Sequence, residues 1–289
     1  MKTVNSISGG QSSAYISANY PADFDVFALV RTNDKSCLYP DKKIRQIVSD
    51  KIGQEFIGTL EQDDCVKYIL QLEQMIGRNI TFVTGDPFED IINQKKNQGK
   101  NGSHYLPNMM TRYCTSYLKM FPIFEWWYHT ISEPVEMRIG FRANEMNRAK
   151  KVIEKLDSSG MESMKYSFEF HKNGNKKWKD YTWRTPTFPL IEDSVFKDNI
   201  QEFWNDKPVE FTKEYKNNCV GCFHRNEMYL NKMSIEHPNK MKWFSKMEEI
   251  NKPNTFRKGV TYKNIIEYKP QIEMSFDDFN ECDSGYCGL

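Results

Sequence analysis

Short apolar runs alternate along this chain with longer stretches whose apolar residues recur at helical spacing. Residues 4–8 and 25–30 read as the first two strands, and residues 43–51 and 64–76 as amphipathic helices. Ile80-Thr81-Phe82-Val83-Thr84 predicts a third strand, closed by Gly85-Asp86-Pro87, and another helix starts at Phe88. Residues 93–104 have no apolar period and predict a mobile loop. Pro107 then opens a helix to about Tyr128, with Pro122 bending or dividing it. Residues 134–140 make a fourth strand, followed by a helix from about Asn144. Two aromatic-rich segments, 165–170 and 179–184, flank His171-Lys172-Asn173-Gly174-Asn175, and the Asn-Gly step predicts a hairpin inserted near 163–186. Strands alternating with helices predict an α/β fold with a parallel sheet covered on both faces, its ligand lying beyond the carboxyl ends of the strands.

Charge adds little to this picture. The 289 residues carry 40 Lys and Arg against 39 Asp and Glu, so no global field draws the chain to nucleic acid or membrane. Two local basic stretches, Lys95-Lys96 with Lys100 and residues 172–179, have the character of solvated loop or hairpin charge. No basic and apolar leader and no run approaching a membrane span is present, which predicts a cytoplasmic protein without a membrane partner. In that compartment the seven cysteines read as metal ligands or catalytic thiols rather than disulfides.

Four constellations carry candidate chemistry. Ser8-Gly9-Gly10-Gln11-Ser12-Ser13 follows the first strand and leads into a helix. Glycines at such a turn let successive N–H groups face an anion, and the helix N-terminus adds partial positive charge. The alternative is an ordinary Gly-Gly turn with Ser caps. In the segment 106–119, Arg112 and Lys119 stand seven residues apart, two turns of one helix, with Cys114 nearly opposite; a nucleotide-and-metal helix and a plain amphipathic helix with a buried thiol both fit. Gly140-Phe141-Arg142-Ala143-Asn144-Glu145 again joins a strand to a helix. Arg142 there could grip an oxyanion, oriented by Glu145 and supported by Arg148; otherwise Asn144 caps the helix and Glu145–Arg148 is a surface pair. Cys219-Val220-Gly221-Cys222, with Cys282 and Cys287 near the end, has the spacing of half a zinc or iron–sulfur site, or of a redox dithiol. His224 and His237 are spare ligand candidates.

Taken in order, these motifs resemble the phosphoadenylyl-sulfate (PAPS) reductase family of the PP-loop, or adenine-nucleotide alpha-hydrolase, superfamily, and most of all its phage and mobile-element branch. The matching stretches are residues 8–15, 106–119, 140–148 and 218–223, covering about 4–250. The resemblance implies a PP-loop α/β domain over 1–215 and a Cys-bearing helical region over 216–289 packed on it. It implies that Ser8, Gly9, Gly10, Gln11, Ser12 and Ser13 hold the phosphates of ATP or PAPS. Arg112, Lys119, Arg142 and Arg148 would line the anionic end, with Glu145 as the orienting carboxylate. It further implies that Cys114, Cys219 and Cys222, with Cys282 or Cys287, ligate a [4Fe–4S] cluster or zinc. A phage-encoded member would work in the host cytoplasm. Three departures stand out: Ser12 occupies the place of the usual Asp, Thr115 follows Cys114 where iron–sulfur members carry a second Cys, and the terminus Tyr286-Cys287-Gly288-Leu289 has neither the Glu nor the His of the sulfonucleotide reductases.

Three activities follow from the resemblance. In the first, ATP is split between its alpha and beta phosphates, an acceptor (possible in the form of nucleic acid) is adenylated, and sulfur displaces the adenylate. In the second, Cys287 attacks the sulfur of an adenylyl sulfate. In the third, the chain binds adenylates without catalysis.

Overall fold

The computed structural model describes residues 1–211 and 219–269. A six-stranded sheet runs in the order β3-β2-β1-β4-β6-β5. Its strands are β1 (Thr3–Ile7), β2 (Phe24–Ala28), β3 (Ile80–Val83), β4 (Val135–Arg138), β5 (Glu162–Phe170) and β6 (Lys176–Thr187). β1 pairs in parallel with β2 and β4, β4 pairs in parallel with β6, and the β5–β6 pair is antiparallel. Strand order therefore reverses at β1: β2 and β3 lie to one side, β4 and β6 to the other. The crevice beyond the carboxyl ends of β1 and β4 is the topological switch point of such a sheet.

The helices are α1 (Gln11–Asn19), α2 (Lys42–Ile52), α3 (Asp63–Ile76), α4 (Phe88–Ile92), α5 (Tyr113–Thr115), α6 (Phe121–Thr130), α7 (Met146–Ile153), α8 (Pro189–Glu192), α9 (Lys197–Asn205), α10 (Glu227–Glu236), α11 (Pro238–Ile250) and α12 (Tyr262–Glu267). None of the described helices is long and apolar enough to cross a membrane. The chain divides into two compact units. One comprises Met1–Phe27, Gln71–Thr81 and Phe124–Glu210; the other comprises Ala28–Leu70, Phe82–Ile123 and the described residues from Phe211 on.

The first unit holds most of the sheet. Val4, Val26, Val135 and Met137 are wholly buried, as central parallel strands require. β2 also buries Asp25, whose carboxylate accepts from Asn5, Ser17 and Arg78 at 2.6–3.2 Å. That full set of donors offsets the cost of burying the charge. Phe124 and Trp127 of α6 pack against Trp183 of β6, and Phe124 also meets Tyr166 and Phe168 of β5. The hairpin is thus an integral part of the sheet, since residues 184–187 of β6 form its edge with β4.

The second unit closes around Phe88, Trp243, Phe244, Phe256 and Tyr262. Two expectations change here. The tract 93–104 is tied down: Gln98 bridges His104, the Tyr105 N–H donates to Asn97, and Asn251 and Asn254 bond His104 at 2.9–3.0 Å. Its backbone groups are satisfied by asparagines about 150 residues away, which no local period reveals. The helix expected from Pro107 starts only at Tyr113, because the Asn108 carboxamide folds the preceding loop by accepting from the N–H groups of Met110 and Thr111.

Candidate functional site

In the first unit, β1 ends at Ile7 and the chain turns through Ser8-Gly9-Gly10 into α1. Gly9 has φ of 79°, a left-handed conformation that a side chain would strain. Gly10 is the N-cap of α1 and offers no side chain to its N–H groups, and the first turn holds no acidic residue. Ser12 in place of Asp therefore leaves the positive end of this helix without a competing carboxylate. The Ser13 hydroxyl fastens the loop from inside, donating to the Gly10 carbonyl at 3.0 Å and accepting from the Ser8 N–H at 3.1 Å. Trp204 Nε1 donates to the Gln11 carbonyl at 3.2 Å and holds the start of α1 from α9.

The loop after β4 lies against this turn. A Cβ on Gly140 would stand 3.0 Å from the Ser13 nitrogen and 3.1 Å from its Cα, tighter than ordinary contact and against backbone, so glycine suits the approach. Two residues on, Arg142 opens a short turn in which Glu145 accepts from the Arg142 N–H at 2.9 Å and from its Nε at 3.1 Å. Glu145 also takes Arg148 Nη1 at 2.5 Å, and the Arg148 guanidinium lies 4.2 Å over the Phe141 ring. Among the described residues the Nη atoms of Arg142 make no hydrogen bond, and its side chain is 28 % exposed. Glu145, and not Asn144, is the N-cap residue of α7.

Burial by itself would raise the pKa of Glu145, but the charge of Arg148 and the bonds and charge of Arg142 outweigh it, holding the carboxyl below its ordinary value. A depressed carboxyl contributes stability above its unfolded pKa and loses it as pH falls through the folded one. Wild type is therefore expected to lose melting temperature below about pH 4.3, the ordinary Glu range, and Glu145→Gln to show a flatter acid limb. Parallel limbs in thermal melts from neutral to acid pH would contradict this.

The second unit holds the cysteines. Arg112 precedes α5 with non-helical φ and ψ, and the five residues Ser116–Met120 wind as a π-helix before α6. Pro122, with no N–H to donate, follows this widened turn directly. The seven-residue spacing of Arg112 and Lys119 is therefore not two α-turns, and the expected shared face is not formed. Lys119 instead donates to Glu61 at 2.8 Å, with the Glu61 side chain 1 % exposed. Burial works against the ammonium, yet the Glu61 carboxylate holds its pKa above the ordinary lysine value. Burial pushes the Cys114 thiol up, against the opposing charges of Arg112 and Lys119, so it is protonated at neutral pH.

Cys219 bridges Glu61 in a short antiparallel contact, and the Val220 N–H donates to Leu60 at 3.0 Å. Tyr262 donates its hydroxyl to the Gly221 carbonyl at 2.8 Å. Cys114 and Cys219 each lie within electrostatic reach of Lys119. Cys37, Cys65, Cys114, Cys219 and Cys222 form no disulfide among the described residues. His224 is lowered to about 4 by burial and by the charges of Arg112 and Arg257, so its ring is neutral at neutral pH. His237 joins α10 to α11, with Pro238 in the first turn of the latter.

No group of three or more His, Cys, Asp or Glu side chains among the described residues is placed to hold a metal ion. Cys114, Cys219 and Cys222 thus do not by themselves fit a cluster or zinc. Cys282 and Cys287 lie outside the described residues. Of the remaining candidates, the structure joins residues 8–13 with Gly140, and Arg142 with Glu145 and Arg148, in the first unit. Arg112, Lys119 and the three cysteines belong to the second. Phe203-Trp204 belongs to the resemblance, whereas Glu61, central to the second setting, carries no sequence signal beyond an acidic residue after an apolar run.

No family model, curated protein or solved structure matches the chain.

Proposed function

We propose that the β1–α1 loop binds the phosphates of an adenine nucleotide, and that the chain is a PP-loop enzyme, similar to the PAPS reductase family, that activates an acceptor by adenylation for sulfur transfer. The observation that carries this reading is the pairing of the Ser8–Ser13 turn with Gly140 at the switch point between β1 and β4. Glycine-bearing turns and an uncapped helix start meet there, Arg142 follows Gly140 by two residues, and ligands of doubly wound sheets bind at that position. Arg142 fits the role of oxyanion clamp: Glu145 fixes its Nε edge, leaving two Nη groups to meet a phosphate as a fork. In the reaction, an acceptor oxygen attacks the alpha phosphorus of ATP, pyrophosphate leaves, and a sulfur nucleophile then displaces AMP. The N–H groups and Arg142 would stabilise charge growing on the phosphoryl oxygens. No step is assigned to a metal or cluster.

Calorimetric titration with ATP and with PAPS tests the reading. Gly10 has φ −94° and ψ 161°, which a branched residue can adopt, so Gly10→Val keeps the fold while its side chain covers the N–H groups. Affinity is expected to fall about ten- to a hundredfold, the worth of one or two charge-assisted hydrogen bonds. Arg142→Lys should weaken binding with little change in melting temperature, because a fork becomes a point charge. Wild type that binds neither nucleotide, or Gly10→Val with unchanged affinity, would sink the proposal. Pyrophosphate release from ATP separates the enzyme from a binding module.

A further inference from the structure

The tip of the β5–β6 hairpin has a surface unlike the rest of its unit. Every residue from 169 to 180 is exposed, whereas nearer the sheet Phe168 and Tyr181 pack on α6 through Tyr128. The tip is an ordered ribbon. Glu169 pairs with Lys177 and Phe170 with Lys176, and His171 and Asn175 close the turn through an N–H···O bond of 2.8 Å.

Directly opposed residues share a face, as do residues two apart on one strand. Phe170, Lys176 and Trp178 therefore occupy one face, with Phe170 and Trp178 at diagonal positions of the ribbon. Both rings are open, at 63 % and 53 % exposed. Lys176 Nζ stands 5.5 Å from the Trp178 ring. Four lysines lie between residues 169 and 180 against two carboxylates. Lys177 is paired with Glu169 at 2.8 Å, and among the described residues Lys172, Lys176 and Lys179 form no ion pair.

Open aromatic faces cost the free protein hydration, and an excess of unpaired ammonium groups around them asks for a polyanion with flat apolar parts. We infer that this hairpin tip binds single-stranded nucleic acid, with Phe170 and Trp178 stacking unpaired bases and Lys172 and Lys176 meeting phosphates; Lys179 lies on the opposite face, over the Tyr181 ring. A duplex fits less well, because its bases already stack on each other. Residues 176–183 of β6 extend past the amino end of β4, so the tip lies at the end of the sheet opposite the β1–α1 loop. It therefore tethers a strand rather than presenting a base to that loop, and it does not rest on the nucleotide reading.

The test is fluorescence anisotropy of the full chain with labelled oligothymidylate of about twenty nucleotides, longer than the roughly 4–16 that one such platform covers. A matched duplex and unlabelled heparin serve as comparison and competitor. Saturable binding that weakens with salt is expected. Phe170→Ala with Trp178→Ala should weaken it about ten- to a hundredfold. Lys172→Gln with Lys176→Gln should reduce the logarithmic salt slope by about 1, whereas Lys179→Gln, on the opposite face, should leave it nearly unchanged. All four platform positions are exposed, so melting temperature should be unchanged and loss of binding cannot be put down to unfolding. The inference is overturned by absence of binding at low salt, by a ring variant that binds like wild type, by a duplex bound as tightly as the single strand, or by self-association of the chain that the ring variant abolishes.

Discussion

Lys119→Met is expected to cost about 3 kcal/mol of stability and about 6–12 °C of melting temperature. The reason is the carboxylate left behind. Glu61 is 1 % exposed and takes the Lys119 ammonium at 2.8 Å, so removing the lysine strands a buried charge. Breaking such a pair costs about 3–5 kcal/mol, and the 24 % exposure of Lys119 places this case at the low end. The double variant Glu61→Leu with Lys119→Met should recover much of the loss, because replacing both members of a buried pair is near neutral. Lys119 has a folded pKa raised above its ordinary 10.5. Its contribution is complete below that value and is lost only as pH rises through the folded one, so the wild-type advantage should persist into alkaline buffer. Thermal melts of wild type and the two variants from neutral to alkaline pH measure all of this. A Lys119→Met protein that melts with wild type would show that Glu61 finds other compensation.

Gly221→Ala is expected to cost about 3 kcal/mol, the upper part of the usual range for overpacking. A methyl there would stand 2.4 Å from Cδ2 and Cε2 of Phe244 and 2.7 Å from its Cγ. Phe244 cannot step aside. Its ring is 1 % exposed and packed at centroid distances of 5.0–5.3 Å against Trp243, Phe256 and Tyr262. Since Gly221 joins Cys219 to Cys222, the shift must also loosen the cysteine turn and break the Tyr262–Gly221 hydrogen bond. Urea unfolding should show the lower stability, and thiol labelling in native buffer should show faster reaction at the buried Cys222. Unchanged labelling together with an unchanged midpoint would mean that the aromatic cluster repacks without penalty.

Both effects bear on residues whose sequence reading was half right. The cysteine pair in a glycine turn is visible from spacing alone. That the glycine serves close packing against a phenylalanine ring, with no positive φ involved, is not. Lys119 reads as a cation on a helix beside Arg112, but a π turn before Pro122 shifts the phase and hands the lysine to Glu61. Arg142 and Glu145 lie three residues apart, so their ion pair was open to local reasoning, and it forms. The polar tract 93–104 shows the opposite case, since polar sequence there marks hydrogen bonding to distant asparagines rather than freedom.

Local pattern by itself determined the strands at residues 3–7, 24–28, 80–83 and 135–138, the helices around them, and the hairpin turn at Asn173-Gly174. Those features arise from side-chain periodicity and backbone conformation, which act between near neighbours. Tertiary structure alone decided that β1 and β4 adjoin, that Gly140 lies against Ser13, and that Lys119 meets a carboxylate 58 residues away. Such pairings leave no local trace, because a buried charge or a glycine contact is selected by whatever the fold brings opposite it.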